Sequence, residues 1–264
     1  AEQIFPPDSD RLTLALSSFA VFAVGFAARP AGGLLLGLMA DRHGRRAAMT
    51  FAIALMGVGQ AVMALMPTYE QVGVLAPVLL AVVRIAQGIS TGGEFAVSAV
   101  FLVESAPSGR RGLYSSLTYV GSNLGQLLAS GVVALLATLL SGAAMHDWGW
   151  RAAFAFGAVL CVSGWWIRHG TEETHTADVT TRPRMFDFLR HHPRESALVV
   201  GMTVGATVAF YSWTAFLPTY AELTVDFSSE SAIVCNTIAL AFFTLIQMPV
   251  GWLSDRIGRK PLLI

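Results

Sequence analysis

Charge is scarce in this chain. Lys, Arg, Asp and Glu make up 13% of its 264 residues, about half the usual ~25% of soluble domains. Its one lysine, Lys260, lies beyond the last apolar run, so no buried lysine is available for a retinal Schiff base. A formal net charge of zero argues against a nucleic-acid partner. The two cysteines, Cys161 and Cys235, fall in or beside apolar stretches without metal-ligand spacing and read as packed thiols. His191 and His192 sit together in a charged loop and read as solvated side chains. No phosphate-cradling glycine loop occurs, which leaves ATP-driven transport unsupported. No Gly-x-Ser-Gly nucleophile with a distant intramembrane histidine occurs either, which leaves an intramembrane protease unsupported. Neither metal, cofactor nor enzymatic activity is expected.

Apolar length is what the chain has instead. Hydrophobic residues reach 54%, and mean hydropathy is +0.59. Seven spans are predicted, over 12–40, 47–66, 74–104, 112–140, 152–168, 196–222 and 231–253. Each approaches or exceeds the ~17 residues that cross a hydrocarbon core of about 30 Å. They must be helices, because lipid offers no partner to an open strand edge. The expectation is an all-α, multi-pass protein of the cell (inner or plasma) membrane. Segment 169–195 is polar and proline-bearing. It reads as a cytoplasmic linker between a first bundle (1–168) and the start of a second (196–264), and its "MFDFLRHH" part is a candidate interfacial helix.

Basic residues give the orientation. Thirteen of the 17 lie in alternate loops: Arg42, Arg45 and Arg46; Arg110 and Arg111; Arg168 to Arg194; and Arg256, Arg259 and Lys260. The opposite loops hold only Arg11 and Arg151, so the first set is cytoplasmic. Within this pattern the stretch "GLMADRHGRR" (37–46) returns as "GWLSDRIGRK" (251–260). Both copies follow an outside-to-inside helix, six spans apart. An even separation restores direction, which predicts parallel repeats about an axis along the membrane normal and hence a two-half transporter.

These residues resemble the major facilitator superfamily. Its loop pattern G-x-x-x-D-R-x-G-R-[RK] is met by Gly37, Asp41, Arg42, Gly44, Arg45 and Arg46, and again by Gly251, Asp255, Arg256, Gly258, Arg259 and Lys260. "RIAQGISTGGEF", "ESAPSGRRGLYSS" and "WGWRAAF" resemble its metabolite:proton symporter branch. "FAARPAGG", "GRRGLYSSLTYV", "GQLLAS" and "FYSWTAFLPTY" look closest to a permease for a small dicarboxylate within that branch. The resemblance implies a partial major-facilitator fold, the second through eighth of an expected twelve transmembrane helices. With span 1 and the last four spans outside the sequence, the chain alone is expected to be inactive, and the complete protein to be a monomer.

The resemblance also implies a cytoplasmic latch at the loop motif, in which Asp41 and Asp255 and the arginines beside them hold one state of the transport cycle. Glu104 with Arg110 or Arg111, at the next cytoplasmic helix ends, are candidates for the same network. The alternative is that the arginines only set topology. Gly37, one turn before Asp41, is expected to admit a neighbouring helix.

Arg29 lies 12 residues before Asp41, about 18 Å up the helix at 1.5 Å per residue. A charge at that depth costs roughly 2.5–3.5 kcal/mol on insertion scales, so it should face protein or water. Its fork suits a substrate carboxylate; the alternative is a structural ion pair. In 74–104, Arg84, Gln87, Thr91, Glu94 and Ser98 share an arc of about 80° on an otherwise apolar helix. Arg84 and Glu94, ten residues apart, are expected to line one cavity at two depths. Desolvation favours a neutral carboxyl, which makes Glu94, with Arg84, a proton-coupling candidate; the alternative is a fixed helix–helix bond beside Gly92 and Gly93. Tyr119, Asn123 and Gln126 share the polar face of the next helix, either as substrate lining or as interhelical glue. Thr207, Tyr211, Thr214 and Pro218 make another narrow face, with Tyr211 a candidate aromatic wall.

The function expected is proton-coupled symport of a small organic anion, such as a di- or tricarboxylate, by alternating access in a lipid bilayer. A zwitterion or osmolyte symporter of the proline/betaine type is the alternative within transport. A seven-span receptor is the alternative of another class, but it gives the duplicated loop no purpose.

Overall fold

The computed structural model describes residues 3–6, 10–169, 190–217, 220–221 and 229–263. Most of the expected central loop, and Pro218, lie outside the described residues.

The first apolar run forms α1 (Arg11–Ala27) and α2 (Arg29–His43) in close succession. Asp10 caps α1 by accepting the Thr13 amide at 3.3 Å. The break at Ala28 follows from Pro30, which has no N–H to offer the carbonyl four residues back. At Gly44 the chain turns into α3 (Arg45–Ala64) with φ 96°, a conformation that only glycine adopts at little cost. The short α4 (Tyr69–Val72) starts at a capping box of Thr68 and Gln71. Then come α5 (Leu75–Glu104), α6 (Arg111–Leu139) and α7 (Gly142–Ala144). A π-helical turn, Met145–Gly149, leads into α8 (Trp150–His169). α9 (Pro193–Tyr211) ends in a second π-helical turn, Ser212–Phe216, and α10 (Ser229–Ile257) and α11 (Lys260–Leu263) close the chain.

Among the described residues seven helical segments are long and apolar enough to cross a membrane: Leu12–His43, Arg45–Ala64, Leu75–Glu104, Arg111–Leu139, Gly142–His169, Pro193–Thr214 and Val234–Ile257. They match the seven predicted spans. The fifth departs most, beginning ten residues before the predicted 152. Its polar His146, Asp147 and Arg151 read as loop, yet they continue the helix. The Arg151 guanidinium donates to the Asp147 carbonyl at 2.9 Å and to the Met66 carbonyl at 3.0 Å, and it lies over the Trp150 ring. Arg151 therefore ties the start of α8 to the end of α3.

The chain divides into two compact units: Ala1–Ala106 with Ala129–Arg182, and Pro107–Leu128 with Pro183–Ile264. In the first unit α2 and α3 pack on α5, and α8 packs on α3. One apolar cluster gathers Ile4, Phe5, Met63, Met66, Leu80 and Val83; another gathers Leu36, Ala40, Met49, Ala52 and Val97. Glycines set the spacing of α5 against α1 and α2. A Cβ at Gly88 would overlap the Gly25 carbonyl, one at Gly92 the Arg29 carbonyl, and one at Gly32 the Ile89 carbonyl. The backbones thus touch at the depth of Arg29. This close approach is the membrane mode in which small residues replace a hydrophobic driving force.

In the second unit the first half of α6, α9 and α10 carry the interactions. Asn236 of α10 donates to the Thr214 carbonyl at 3.3 Å, within the π-helical turn that follows α9. Wider π turns leave carbonyls off the regular ladder, and here a side-chain amide takes one up.

Candidate functional site

The duplicated loop has the same local geometry in both units. In the first, α2 ends at Gly44 (φ 96°), and Arg45 donates to Asp41 at 3.0 Å. In the second, α10 ends at Gly258 (φ 89°), and Arg259 donates to Asp255 at 2.9 Å. The i, i+4 spacing brings each carboxylate and arginine onto one face, and the left-handed glycine lets the chain turn between them. Arg45 also donates to Glu104 at the end of α5, at 3.2 Å. Glu104 therefore belongs to the ionic network with Asp41 and Arg45. Arg42 is exposed, and Arg256 is exposed and lies over the Trp252 ring at 3.8 Å. Arg111 opens α6 in the second unit and is exposed.

The copies differ in what surrounds them. Asp255 is nearly buried, its side chain 7% exposed. Its two carboxylate oxygens accept the Gly112 and Leu113 amides at 2.7 and 2.9 Å. Those N–H groups are among the four that an α-helix leaves without an internal partner at its start, so a carboxylate from α10 caps α6. Gly251 makes the approach possible: a Cβ there would sit 2.8 Å from the Gly112 carbonyl oxygen and 2.8 Å from the Ser116 hydroxyl. The close helix contact expected at Gly37 is absent, since a Cβ at Gly37 would meet nothing within 4 Å among the described residues. Gly251, at the matching position of the second copy, has it instead. Comparing the two copies position by position would have pointed there.

The polar stripe of α5 divides. Arg84 donates to the Gln87 side chain at 3.1 Å and lines a cavity of about 620 Å³ with Gln3, Ile4, Phe5, Phe22 and Trp150 among its walls. Gln87 is 6% exposed and lies against Gly59 of α3; its amide nitrogen meets no acceptor among the described residues. Glu94 departs from the expected cavity position. Its carboxylate accepts from Arg168 of α8 at 2.9 Å, the interhelical alternative. Ser98 faces the Met49 sulfur at 3.7 Å, in a seam with α3. Most of the stripe therefore joins helices, and Arg84 alone of the five is among the residues lining that cavity. Arg168 had carried only a topological meaning in the sequence; no local pattern pairs it with a residue 74 positions earlier.

Arg29 is half-buried with its guanidinium 4.3 Å from the Phe26 ring centroid, while its carbonyl lies against Gly92. On α6, Asn123 is 2% exposed and its amide nitrogen is buried without an acceptor among the described residues; Tyr119 and Gln126 are exposed. Tyr211 is half-buried and meets Phe210 edge-on. Among the described residues no cluster of three or more His, Cys, Asp or Glu side chains suits a metal ion.

Residues 8–264 match the Major Facilitator Superfamily. The chain is 39% identical over 259 residues to alpha-ketoglutarate permease of Escherichia coli (strain K12), covering 97% of this chain and 60% of the permease. That permease is the dicarboxylate relative suggested by "FAARPAGG" and "GQLLAS". This chain is also 30% identical over 277 residues to the glycine betaine/proline/ectoine/pipecolic acid transporter OusA of Dickeya dadantii (strain 3937), covering 99% of this chain and 55% of that transporter. Its fold matches the xylose transporter XylE from E. coli in a partially occluded inward-open conformation, with a TM-score of 0.69 and 21% identity over 99% of this chain and 68% of that one. The chain thus spans little more than half the length of the curated relatives it matches.

Proposed function

Because the chain belongs to the Major Facilitator Superfamily, we propose that it is part of a proton-coupled symporter carrying a small organic anion, such as a di- or tricarboxylate, across the cell membrane by alternating access. It acts by moving solute rather than by covalent catalysis, and the complete protein works as a monomer. The observation that carries the anion is Arg84, a mid-span guanidinium lining a cavity of about 620 Å³. A charge at that depth is expensive unless it has a task or a partner, and a guanidinium fork matches a carboxylate. Gln87 beside it adds a buried amide donor. The likeness to alpha-ketoglutarate permease supports the same class.

The likeness to a betaine and proline transporter supports a second reading, a zwitterion symporter. A zwitterion also has a carboxylate for Arg84, so the two differ in the cationic end. Counterflow with the complete transporter in proteoliposomes separates them. Exchange driven by 2-oxoglutarate or citrate and not by betaine is expected; the reverse order overturns the anion reading, and shikimate measures tolerance for a bulkier acid.

In this reading the Glu94–Arg168 pair is the proton-coupling element, since protonating Glu94 releases Arg168. Glu94→Gln is expected to abolish pH-driven accumulation while preserving exchange of internal for external substrate. Retained accumulation would remove Glu94 from the coupling. The Asp41–Arg45–Glu104 network is the cytoplasmic latch. Asp41→Asn is expected to slow transport several-fold with membrane insertion unchanged, and unaltered flux discards the latch.

A further inference from the structure

A second cavity, of about 580 Å³, opens at the cytoplasmic ends of α2, α3 and α8. It is lined by His43, Arg46, Thr50, Phe51, Trp165 and His169, together with two alanines. Among the described residues its walls carry no acidic side chain. Arg46 donates to the His169 carbonyl, which holds the last turn of α8 against the start of α3. The His169 imidazole lies over Trp165, ring centroids 5.1 Å apart. One guanidinium and two imidazoles therefore gather around an aromatic wall, at the level where the membrane meets the cytoplasm.

The walls continue toward the bilayer centre as an apolar track. On α3 the lining residues Thr50, Phe51 and Ala54 share a face with Val58 and Val62, both exposed. At 100° per residue these five positions stay within about 120°. On α8, Val162 and Trp166 are likewise exposed. A cationic pocket above an apolar furrow is the surface complement of a phospholipid: phosphate at the helix ends, acyl chain along the furrow. Basic pockets between helices on the cytoplasmic side are suited to anionic headgroups.

We propose that this α3–α8 recess binds an anionic phospholipid of the cytoplasmic leaflet, with Arg46 and His43 holding the phosphate and Phe51 and Trp165 flanking the upper acyl chain. Soluble phosphate shares the headgroup chemistry but has nothing to lay along the furrow, which is why the lipid is the occupant chosen.

The test uses the complete transporter purified in detergent, offered dioleoyl phosphatidylglycerol or phosphatidylcholine at equal concentration, with retained lipid counted by native mass spectrometry. Phosphatidylglycerol should be retained about fivefold more, the preference expected of one basic residue at an anionic surface, and Arg46→Gln should bring the two lipids to parity. Equal retention by the unaltered transporter overturns the proposal, as does a preference that survives Arg46→Gln. Loss of retained phosphatidylglycerol to excess inorganic phosphate overturns the lipid in favour of a soluble anion. Brominated-acyl phosphatidylglycerol gives a second readout that does not depend on the Arg46 variant folding. It should quench the fluorescence component that Trp165→Phe removes, and quenching unchanged in that variant also overturns the site.

Discussion

Gly92→Val is expected to separate α2 from α5 and to deprive this chain of most of its stability in detergent. The added side chain begins inside the Arg29 carbonyl oxygen, and that oxygen is part of a helix backbone. A flexible neighbour rotates away at small cost; a helix must translate as a whole. Overpacking in well-filled interiors costs typically 1–3 kcal/mol, and the upper end, about 3 kcal/mol or more, applies where backbone is the obstacle. The displacement also disturbs the Gly32–Ile89 contact on α2 and, across the short break at Ala28, the Gly25–Gly88 contact of α1, because the three follow one another along α5. Gly37→Val is the matched control, since a Cβ there meets nothing within 4 Å among the described residues and the change should stay within about 0.5 kcal/mol. Fluorescence-detected size-exclusion after stepwise heating reads both variants side by side. Equal thermal survival would mean that the glycines are not what sets the α2–α5 distance.

The fold class was legible because a bilayer leaves few options. Runs of about 20 apolar residues must be helices. The duplicated motif was legible in finer detail still: Asp-x-x-Gly-Arg at a helix end encodes an i, i+4 ion pair across a left-handed glycine, and both copies have it. What a helical wheel does not carry is the destination of a polar face. Arg84, Gln87, Glu94 and Ser98 share an arc, and sharing an arc is compatible with a cavity wall or with a seam between helices. Only the packing of α3 on α5 and of α8 on α3 decides, sending Arg84 toward a cavity, Glu94 to Arg168 and Ser98 to Met49. Gly37 shows the same blindness for glycine. The motif marks it as a place of close approach, but a glycine specifies only that approach is permitted. Polar residues at a helix start were misread for a related reason: His146, Asp147 and Arg151 lower hydropathy, yet Arg151 satisfies carbonyls that a loop would have exposed.

The contact between Asp255 and the start of α6 should be the most sensitive point of the second unit. Its carboxylate satisfies two adjacent backbone donors at 2.7 and 2.9 Å and is itself steadied by Arg259. Hydrogen bonds to charged groups contribute about 1.5–3 kcal/mol each, and the positive end of the helix dipole adds a few tenths to about 1 kcal/mol. Asp255→Ala removes the acceptor and leaves the Gly112 and Leu113 amides facing a cavity that Gly251 keeps narrow. A loss of about 3 kcal/mol is expected, so the amides at the start of α6 should exchange with solvent deuterium more than about 100-fold faster, RT ln 100 being about 2.7 kcal/mol. Asp255→Asn keeps one carbonyl oxygen and should fall between the two. The readout is amide exchange by mass spectrometry over peptides covering the α6 start, with α3 peptides as the unaffected reference. Because the matching Asp41 holds an arginine and no helix start among the described residues, Asp41→Ala should leave exchange at every helix N-terminus of the first unit nearly unchanged. Faster exchange in both variants would mean that the carboxylates act through general destabilisation; faster exchange confined to α6 in the Asp255 variant identifies a local cap.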